Sequence, residues 1–493
     1  MTSEQPKKKP GIFHNWLVLL GTLISLGGLF SFFLLFAIDV FAHHGNPYMG
    51  ILAYVVSPGF IFLGIGLAFF GLWLERRHRR LKGEDTKPHP LVIDFTNKRD
   101  RKVLVFFGVV SVLFLLLSAI GSNRTYHYTE STQFCGQACH TPMKPEYTTY
   151  KLSPHARVAC TECHVGSGAS HYVKAKLNGV HQLCSMVTDS FERPIPTPVK
   201  NLRPAQETCE QCHWPEKFTG SLDRTYQHFL ADETNTPFAV RLSLKVGGSG
   251  YGNKPPEGIH WHVSPDNKVE YIATDRKRET IPWVRYTDSK GVVTEYRAPD
   301  FTNDISKHEI RTMDCLDCHN RPAHQFTSPN DSVDASMAAG LIDVSLPWAK
   351  SNIVAALVQP YETEAEAIKK IAAFLNERYP PTPQSDAMVA EVQNIYTNSF
   401  FPEMKADWRA YPDHIGHKDW GGCFRCHDGL HKTVDRKKTI SGNDCNACHT
   451  ILAQGSGAEL EKLNPKGHSF FHIDSINEDF SCNSCHTGGI QKE

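Results

Sequence analysis

Val103–Ser122 reads VLVFFGVVSVLFLLLSAIGS, a run without one charged side chain, and the chain leaves it through Asn123 and Arg124. About a dozen residues later stands Cys135-Gly-Gln-Ala-Cys139-His140, and then Cys160-Thr-Glu-Cys163-His164. An apolar segment long enough for a membrane helix thus delivers the chain almost directly to paired thiols followed by an imidazole. Two thiols that add across the vinyl groups of a haem, with the adjacent His on the iron, make up the c-type haem attachment pattern. Upstream of this stretch everything points to a membrane; downstream the pattern repeats.

The chain has 493 residues, with 15 Cys and 26 His. Fourteen of the cysteines form seven pairs, each followed at once by His: Cys135/Cys139-His140, Cys160/Cys163-His164, Cys209/Cys212-His213, Cys315/Cys318-His319, Cys423/Cys426-His427, Cys445/Cys448-His449 and Cys482/Cys485-His486. Six pairs have the two-residue gap and the first has three. A random chain of this composition would hold roughly 0.02 such two-residue motifs, so the repeat reads as seven covalent haem c sites. A disulfide scaffold or zinc ribbon gives no reason for His at the next position. Lys+Arg and Asp+Glu are both 52, and nothing in this balance argues for a nucleic-acid partner.

The expected fold is a membrane-anchored multihaem cytochrome c: three transmembrane helices plus a loop-rich, mainly α periplasmic haem domain with a small β insertion. The anchor, residues 1–122, has uncharged runs at 16–38, 51–74 and 103–122. The first, at 23 residues, makes roughly 35 Å of helix, enough for a hydrocarbon core of about 30 Å. Pro58-Gly59 predicts a kink in the second. Asp39–Gly50 carries no Lys or Arg, whereas Glu75–Lys102 carries ten. The positive-inside rule then puts the N-terminus and the second loop in the cytoplasm, and residues 123–493 outside the bacterial inner membrane. That is the side on which c-type haem is attached.

Beyond the anchor, residues 123–222 hold three haem motifs and residues 223–312 none. Within the latter, residues 238–246, 269–273, 283–286 and 292–297 read as strands, with Asp288-Ser-Lys-Gly291 as a hairpin turn. Residues 313–410 hold the fourth motif and a helical segment, in which Ala365, Ile368, Ile371, Ala372 and Leu375 mark one face of a helix over 363–378. Residues 411–493 carry the last three motifs. Much of the chain is expected to be loop, with haem standing in for a side-chain core. The unpaired Cys184 reads as a small buried residue.

Seven irons offer fourteen axial positions, and the motif histidines His140, His164, His213, His319, His427, His449 and His486 fill seven. The soluble part contains fourteen further histidines, enough to make every iron six-coordinate, as suits a relay. His155, His308, His324, His417, His431 and His472 lie near motifs and are candidate distal ligands. In Ile259-His-Trp-His262 the two histidines share one face if extended, giving one ligand and one bystander.

These residues resemble the NapC/NirT family of membrane-anchored multihaem cytochromes c, which includes the NrfH type. The resemblance rests on the apolar anchor, Cys135–His140 with Met143 close behind, Ser153-Pro-His-Ala-Arg-Val-Ala-Cys-Thr-Glu-Cys-His164, and Cys315-Leu-Asp-Cys-His-Asn-Arg-Pro-Ala-His324. Three spans, seven haems, a β insertion and an extra C-terminal haem group make the layout similar to the seven-haem inner-membrane cytochromes of the ImcH type. The resemblance implies a quinol dehydrogenase: menaquinol or another membrane quinol is oxidised, and electrons pass along the haems to periplasmic cytochromes or reductases in anaerobic or metal respiration. It implies either His140 or Met143 as a ligand of the first haem, and Lys176 and His181 as quinol-site residues handling protons. For Lys174 and Lys176 a basic face toward membrane lipid head groups is the alternative. Two rival functions stand beside it. One is a multihaem reductase of nitrite, hydroxylamine or a similar oxyanion, marked by an open iron position; the other is a conducting subunit that never meets quinol.

Overall fold

The computed structural model describes residues 15–41, 56–82, 96, 98–138, 140–165, 178–179, 181–182, 184–199, 202–248, 257–302, 304–442, 444–472 and 482–489. The chain folds as two compact units, one comprising residues 1–134 and 160–181, the other residues 135–159 and 182–493.

The first unit contains three long helices: α1 (Trp16–Phe41), α2 (Ser57–Leu81) and α3 (Lys98–Thr129). A seam of small residues lets α1 and α2 pack closely. A Cβ on Gly21 would come within 2.5 Å of the Gly64 carbonyl and the Ala68 amide, and one on Gly28 within 3.0 Å of Ser57 O. In lipid, where apolar burial does not drive helices together, such close backbone approach is what holds them. Ser25 Oγ adds a hydrogen bond to the Ile61 carbonyl at 3.1 Å.

Among the described residues, two helical stretches are long and apolar enough to cross a membrane, Trp16–Phe36 and Ser57–Leu81; the sequence predicts three. The third run lies within α3, whose described apolar part is Gly108–Leu117. Nor does α3 end where the apolar run does, since it continues through Asn123 and Arg124 to Thr129. The expected kink in α2 is also absent. Pro58 occupies the first turn of the helix, where its missing N–H costs nothing. At the other end α2 takes in Arg76, Arg77, Arg79 and Arg80, which are good helix formers and complement the negative end of the dipole. Residues 51–55, the predicted start of this span, lie outside those described.

In the second unit α4 (His140–Leu152) is followed by two antiparallel sheets and four helices, α5 (Pro329–Ala338), α6 (Ala349–Leu357), α7 (Glu364–Arg378) and α8 (Pro383–Ser399). Ser328, Thr363 and Thr382 cap α5, α7 and α8 by accepting backbone N–H bonds from Asp331, Glu366 and Ser385. Between the helices Val333, Ile353, Leu357, Ile371, Leu375 and Met388 are fully buried. At about 1.5–3 kcal/mol for each large apolar side chain removed from water, this core stabilises the segment without any haem. The buried face of α7 runs through Ala367, Ile371 and Leu375, while Ala365 is exposed.

One sheet has the order β1-β2-β7, made of β1 (Leu222–Phe229), β2 (Pro237–Leu244) and β7 (His449–Gly455). The other has the order β5-β4-β3-β6, made of β3 (Lys268–Ile272), β4 (Trp283–Thr287), β5 (Val293–Arg297) and β6 (Arg311–Thr312). The four predicted strands correspond to β2, β3, β4 and β5. The predicted hairpin forms between β4 and β5, with Asp288 Oδ1 accepting the Lys290 and Val292 amides and Gly291 at φ +79°. Because β7 pairs with β2, the haem-free segment is built into the same sheet as the strand that opens at His449.

Candidate haem sites

Each of the third to seventh motifs winds its first cysteine into a single tight turn. In four of the five the amide of the motif His donates to the carbonyl of the first Cys, at 2.8 Å for His213, His319 and His486 and 3.0 Å for His427; at the sixth, the Cys448 amide donates to Cys445 O at 3.2 Å. One short segment therefore carries two thiols and an imidazole. At the fourth motif Asp314 caps the turn and Asp317 returns the bond.

The thiols of one motif are not equally placed. At the third, the sequence reading puts Cys209 and Cys212 together in one attachment site. In the structure Cys209 is half-buried and Cys212 exposed. The reason is local: Cys209 opens the 3-10 turn, and Cys212 follows its end at φ −120°, ψ −30°, outside helical dihedrals. Cys423, Cys445 and Cys485 are likewise exposed, while their motif partners Cys426, Cys448 and Cys482 are half-buried.

Five motif histidines face a second imidazole. Ring centres are 6.2 Å apart for His155 and His213, 6.2 Å for His260 and His319, 5.8 Å for His262 and His427, 6.3 Å for His417 and His449, and 6.1 Å for His472 and His486. Two imidazoles on one metal, each bonded at about 2 Å through a nitrogen about 1 Å outside its ring centre, place their centres about 6 Å apart. The five pairs fit an iron between them.

Hydrogen bonds set the ring orientation. Nδ1 meets a backbone carbonyl in His155 (Pro322 O, 3.1 Å), His260 (Val246 O, 2.9 Å), His262 (Ile259 O, 2.8 Å) and His427 (Ser441 O, 3.2 Å). A carbonyl only accepts, so the proton sits on Nδ1 and the Nε2 lone pair is left for the metal. His417 and His449 each keep a buried Nδ1 without a partner among the described residues. Burial holds His262, His319, His417, His427, His449 and His486 below the ordinary imidazole range, which keeps them in the neutral, ligating form.

Of the predicted distal ligands, His155, His417 and His472 stand opposite motif histidines. His324 donates from Nδ1 to the Glu146 carbonyl at 2.9 Å, beside the Arg321–Glu146 ion pair, and burial lowers its pKa. Two others are placed differently. His308 packs on Phe301 with ring centres 5.6 Å apart. His431 is buried with both nitrogens engaged, Nδ1 to Asp428 at 2.9 Å and Nε2 to the Ile281 carbonyl at 2.7 Å. His414 is engaged the same way, between Asp317 O and Glu279 Oε1. The sequence reading missed that both His260 and His262 face motif histidines. The segment forms a 3-10 turn, Ile259–Val263, and is not extended, so the two rings leave in different directions.

For the first two motifs less is described. Cys135 and Cys160 are half-buried and Cys163 exposed; Cys139 and the side chain of His140 lie outside the described residues. Met143 stands one turn beyond position 140 on α4, hence on the same face of that helix. Lys176 lies outside the described residues, and His181 is exposed in a helical stretch. Cys184, expected to be buried, is exposed.

Neighbouring motifs approach one another elsewhere too. Phe424, inside the fifth motif, stacks on His417, which faces the sixth motif's His449; the Phe424 and His417 ring centres are 4.2 Å apart.

Apolar N-terminal helices, repeated thioether motifs and facing imidazoles define a membrane-anchored multihaem c-type cytochrome. The NapC/NirT cytochrome c family, N-terminal region, matches residues 97–201. The cytochrome c-type protein ImcH of Geobacter sulfurreducens is 41% identical over 506 residues, covering 98% of this chain and 97% of that protein. The chain therefore belongs to the ImcH-like c-type cytochromes of the NapC/NirT family. Covalently attached haem c and a role in electron transport go with that membership, and the family together with the apolar helices points to the inner membrane. No solved structure matches the chain.

Proposed function

We propose that the protein is a seven-haem quinol dehydrogenase of the inner membrane, acting as an electron-transfer protein. Menaquinol, or another membrane quinol, is oxidised, giving up two protons and two electrons. The electrons leave one at a time for periplasmic cytochromes or reductases. The supporting observation is the set of five facing imidazole pairs. Two imidazoles would fill the two positions that a haem ring leaves open on its iron, which suits electron transfer, whereas a reductase must keep one of them free for its substrate.

Haem c, when bound, supplies one-electron iron chemistry at low reorganisation cost; the rest falls to the chain. The fourteen motif cysteines would anchor the groups, from Cys135 and Cys139 to Cys482 and Cys485, with exposed Cys212 among them, and the histidines would hold their irons. At the first motif the ligand is His140 or Met143. The motif follows the end of α3 at Thr129 closely in sequence, which favours a quinol site there. Lys176 and His181 are proposed to take or steady the departing protons, which needs pKa values near neutral. Three spans, with residues 75–102 in the cytoplasm, complete the arrangement.

The test is to add a menaquinol analogue to the purified protein in detergent and follow the haem bands. Reduction is expected in the wild type and should slow in Lys176→Leu and in His181→Ala, while dithionite reduces all three proteins alike. Wild-type bands that menaquinol leaves oxidised would contradict the proposal. Unchanged kinetics in both variants would remove the 174–181 segment from the quinol site.

A further inference from the structure

The segment without a haem motif carries two of the five facing imidazoles, and both sit on one turn. After β2 the chain passes Lys245 and Val246, and Ile259–Val263 returns against them. The Ile259 amide donates to Lys245 O at 2.8 Å and the His260 amide to Val246 O at 3.2 Å. Gly248 makes room: at φ +134°, a Cβ there would stand 2.6 Å from that of His260. Trp261, between the two histidines, packs on Tyr286 of β4 at 4.7 Å, in a cluster that also takes in Cys426 of the fifth motif. Asn267 Nδ2 closes the turn by donating to Trp261 O at 2.8 Å.

In a helix of three residues per turn, positions two apart point about 120° away from each other. His260 reaches His319 and lies 5° from parallel to it, and His262 reaches His427 at 84°. A second link joins the same two motifs. Arg425, inside the fifth, donates through Nη2 to the carbonyl of Asp317, inside the fourth, at 2.8 Å, and through Nη1 to Arg278 O at 2.8 Å. The side chain of Asp317 is in turn held by Tyr271 and Arg278.

We propose that the turn Ile259–Val263 is a double axial-ligand clamp: His260 completes the iron site of Cys315–His319, His262 that of Cys423–His427, and the turn fixes the two sites to each other. The clamp thereby ties the fourth motif, the last one that resembles the NapC/NirT pattern, to the C-terminal group of three. It rests on the haem reading above but not on quinol oxidation.

The difference in ring angle gives each ligand its own signature. Near-parallel imidazoles give an ordinary rhombic low-spin ferric signal in electron paramagnetic resonance, and near-perpendicular ones a strongly anisotropic low-spin signal. The experiment uses full-length oxidised protein in detergent, as wild type, His260→Met and His262→Met. His260→Met should remove one rhombic signal, His262→Met one strongly anisotropic signal, and each should create one His/Met-ligated iron. His308→Met should change neither class. If a variant matures with one haem fewer, peptide mapping should find it missing from Cys315/Cys318 in His260→Met and from Cys423/Cys426 in His262→Met. Unchanged spectra in either variant, the same signal lost in both, or a haem missing from another motif would overturn the clamp. The wild-type haem count and its response to menaquinol test the underlying reading separately.

Discussion

His431 and His262 show why nearness in sequence is a poor guide to which imidazole a motif histidine faces. His431 stands four residues after His427, close enough to be drawn into the loop that holds its own motif, where Nδ1 is spent on Asp428, while Nε2 is spent on the distant Ile281 carbonyl. The imidazole that faces His427 comes instead from position 262, far up the chain. The motifs themselves were legible, because covalent chemistry fixes their spacing; the imidazoles that face them were legible only in part, because tertiary folding supplies them. Nor could spacing show that Cys209 is half-buried while Cys212 is exposed. Proximity singled out His155, His417 and His472, which stand opposite motif histidines; that both His260 and His262 do so depends on the 3-10 turn. His431→Leu should therefore leave the ligand-sensitive haem spectra unchanged, but strand the Asp428 carboxylate and the Ile281 carbonyl, costing about 1–3 kcal/mol in a denaturant titration. The pH dependence has a definite sign. Burial pulls the pKa of His431 down, but Asp428 and the Ile281 carbonyl outweigh it and hold it above the ordinary value. A raised folded-state pKa stabilises below the unfolded value of about 6.5, and the gain is lost as pH rises through the folded one. The loss in His431→Leu should accordingly be larger at about pH 6 than at about pH 8; a variant with altered haem spectra would restore His431 as a ligand.

Elements followed from sequence where one face is buried and failed where none is. Strands β3 and β4 are buried on both faces, Val269, Tyr271 and Val284 in one core and Ile272 and Trp283 in another, and both were readable. By contrast β1 is exposed for six of its eight residues, so no apolar alternation announces it. Strand β7 starts at His449 inside a haem motif and forms through its pairing with β2, a partner some two hundred residues earlier. The helical segment holds its own core, contrary to the expectation that haem would replace one. Ile371→Ala should cost about 2–5 kcal/mol in denaturant midpoint analysis without altering the haem bands. An unchanged midpoint would mean that the α5–α8 core does not support the fold. In the membrane unit the packing of Gly64 against Gly21 makes a similar demand. Gly64→Leu should lower the thermal midpoint in detergent, whereas Gly66→Leu, with nothing within 4 Å of its Cβ, should not. Equal midpoints for the two variants would argue against the α1–α2 seam.

At the scale of the whole molecule, the chain divides its work between attachment and support. Segments without motifs hold those that have them. The turn Ile259–Val263 faces two motif histidines, and β2 carries the strand that starts at His449. The helical core grips the last motif, as Trp408 Nε1 donates to Thr487 O at 3.1 Å and the Asn330 amide to Gly488 O at 3.0 Å. The basic second loop sets the expected topology. A reporter fused after Lys87 should behave as cytoplasmic and one after Glu493 as periplasmic, and the reverse pattern would remove the electron path from the periplasm. That path requires every motif to be loaded, including the first with its longer gap. The most direct measurement is the intact mass of the purified full-length chain, paired with its pyridine haemochrome ratio. Seven haems per chain is the expected result; six, with Cys135 and Cys139 unmodified, would strike out the first site, and a chain without covalent haem would contradict the account as a whole.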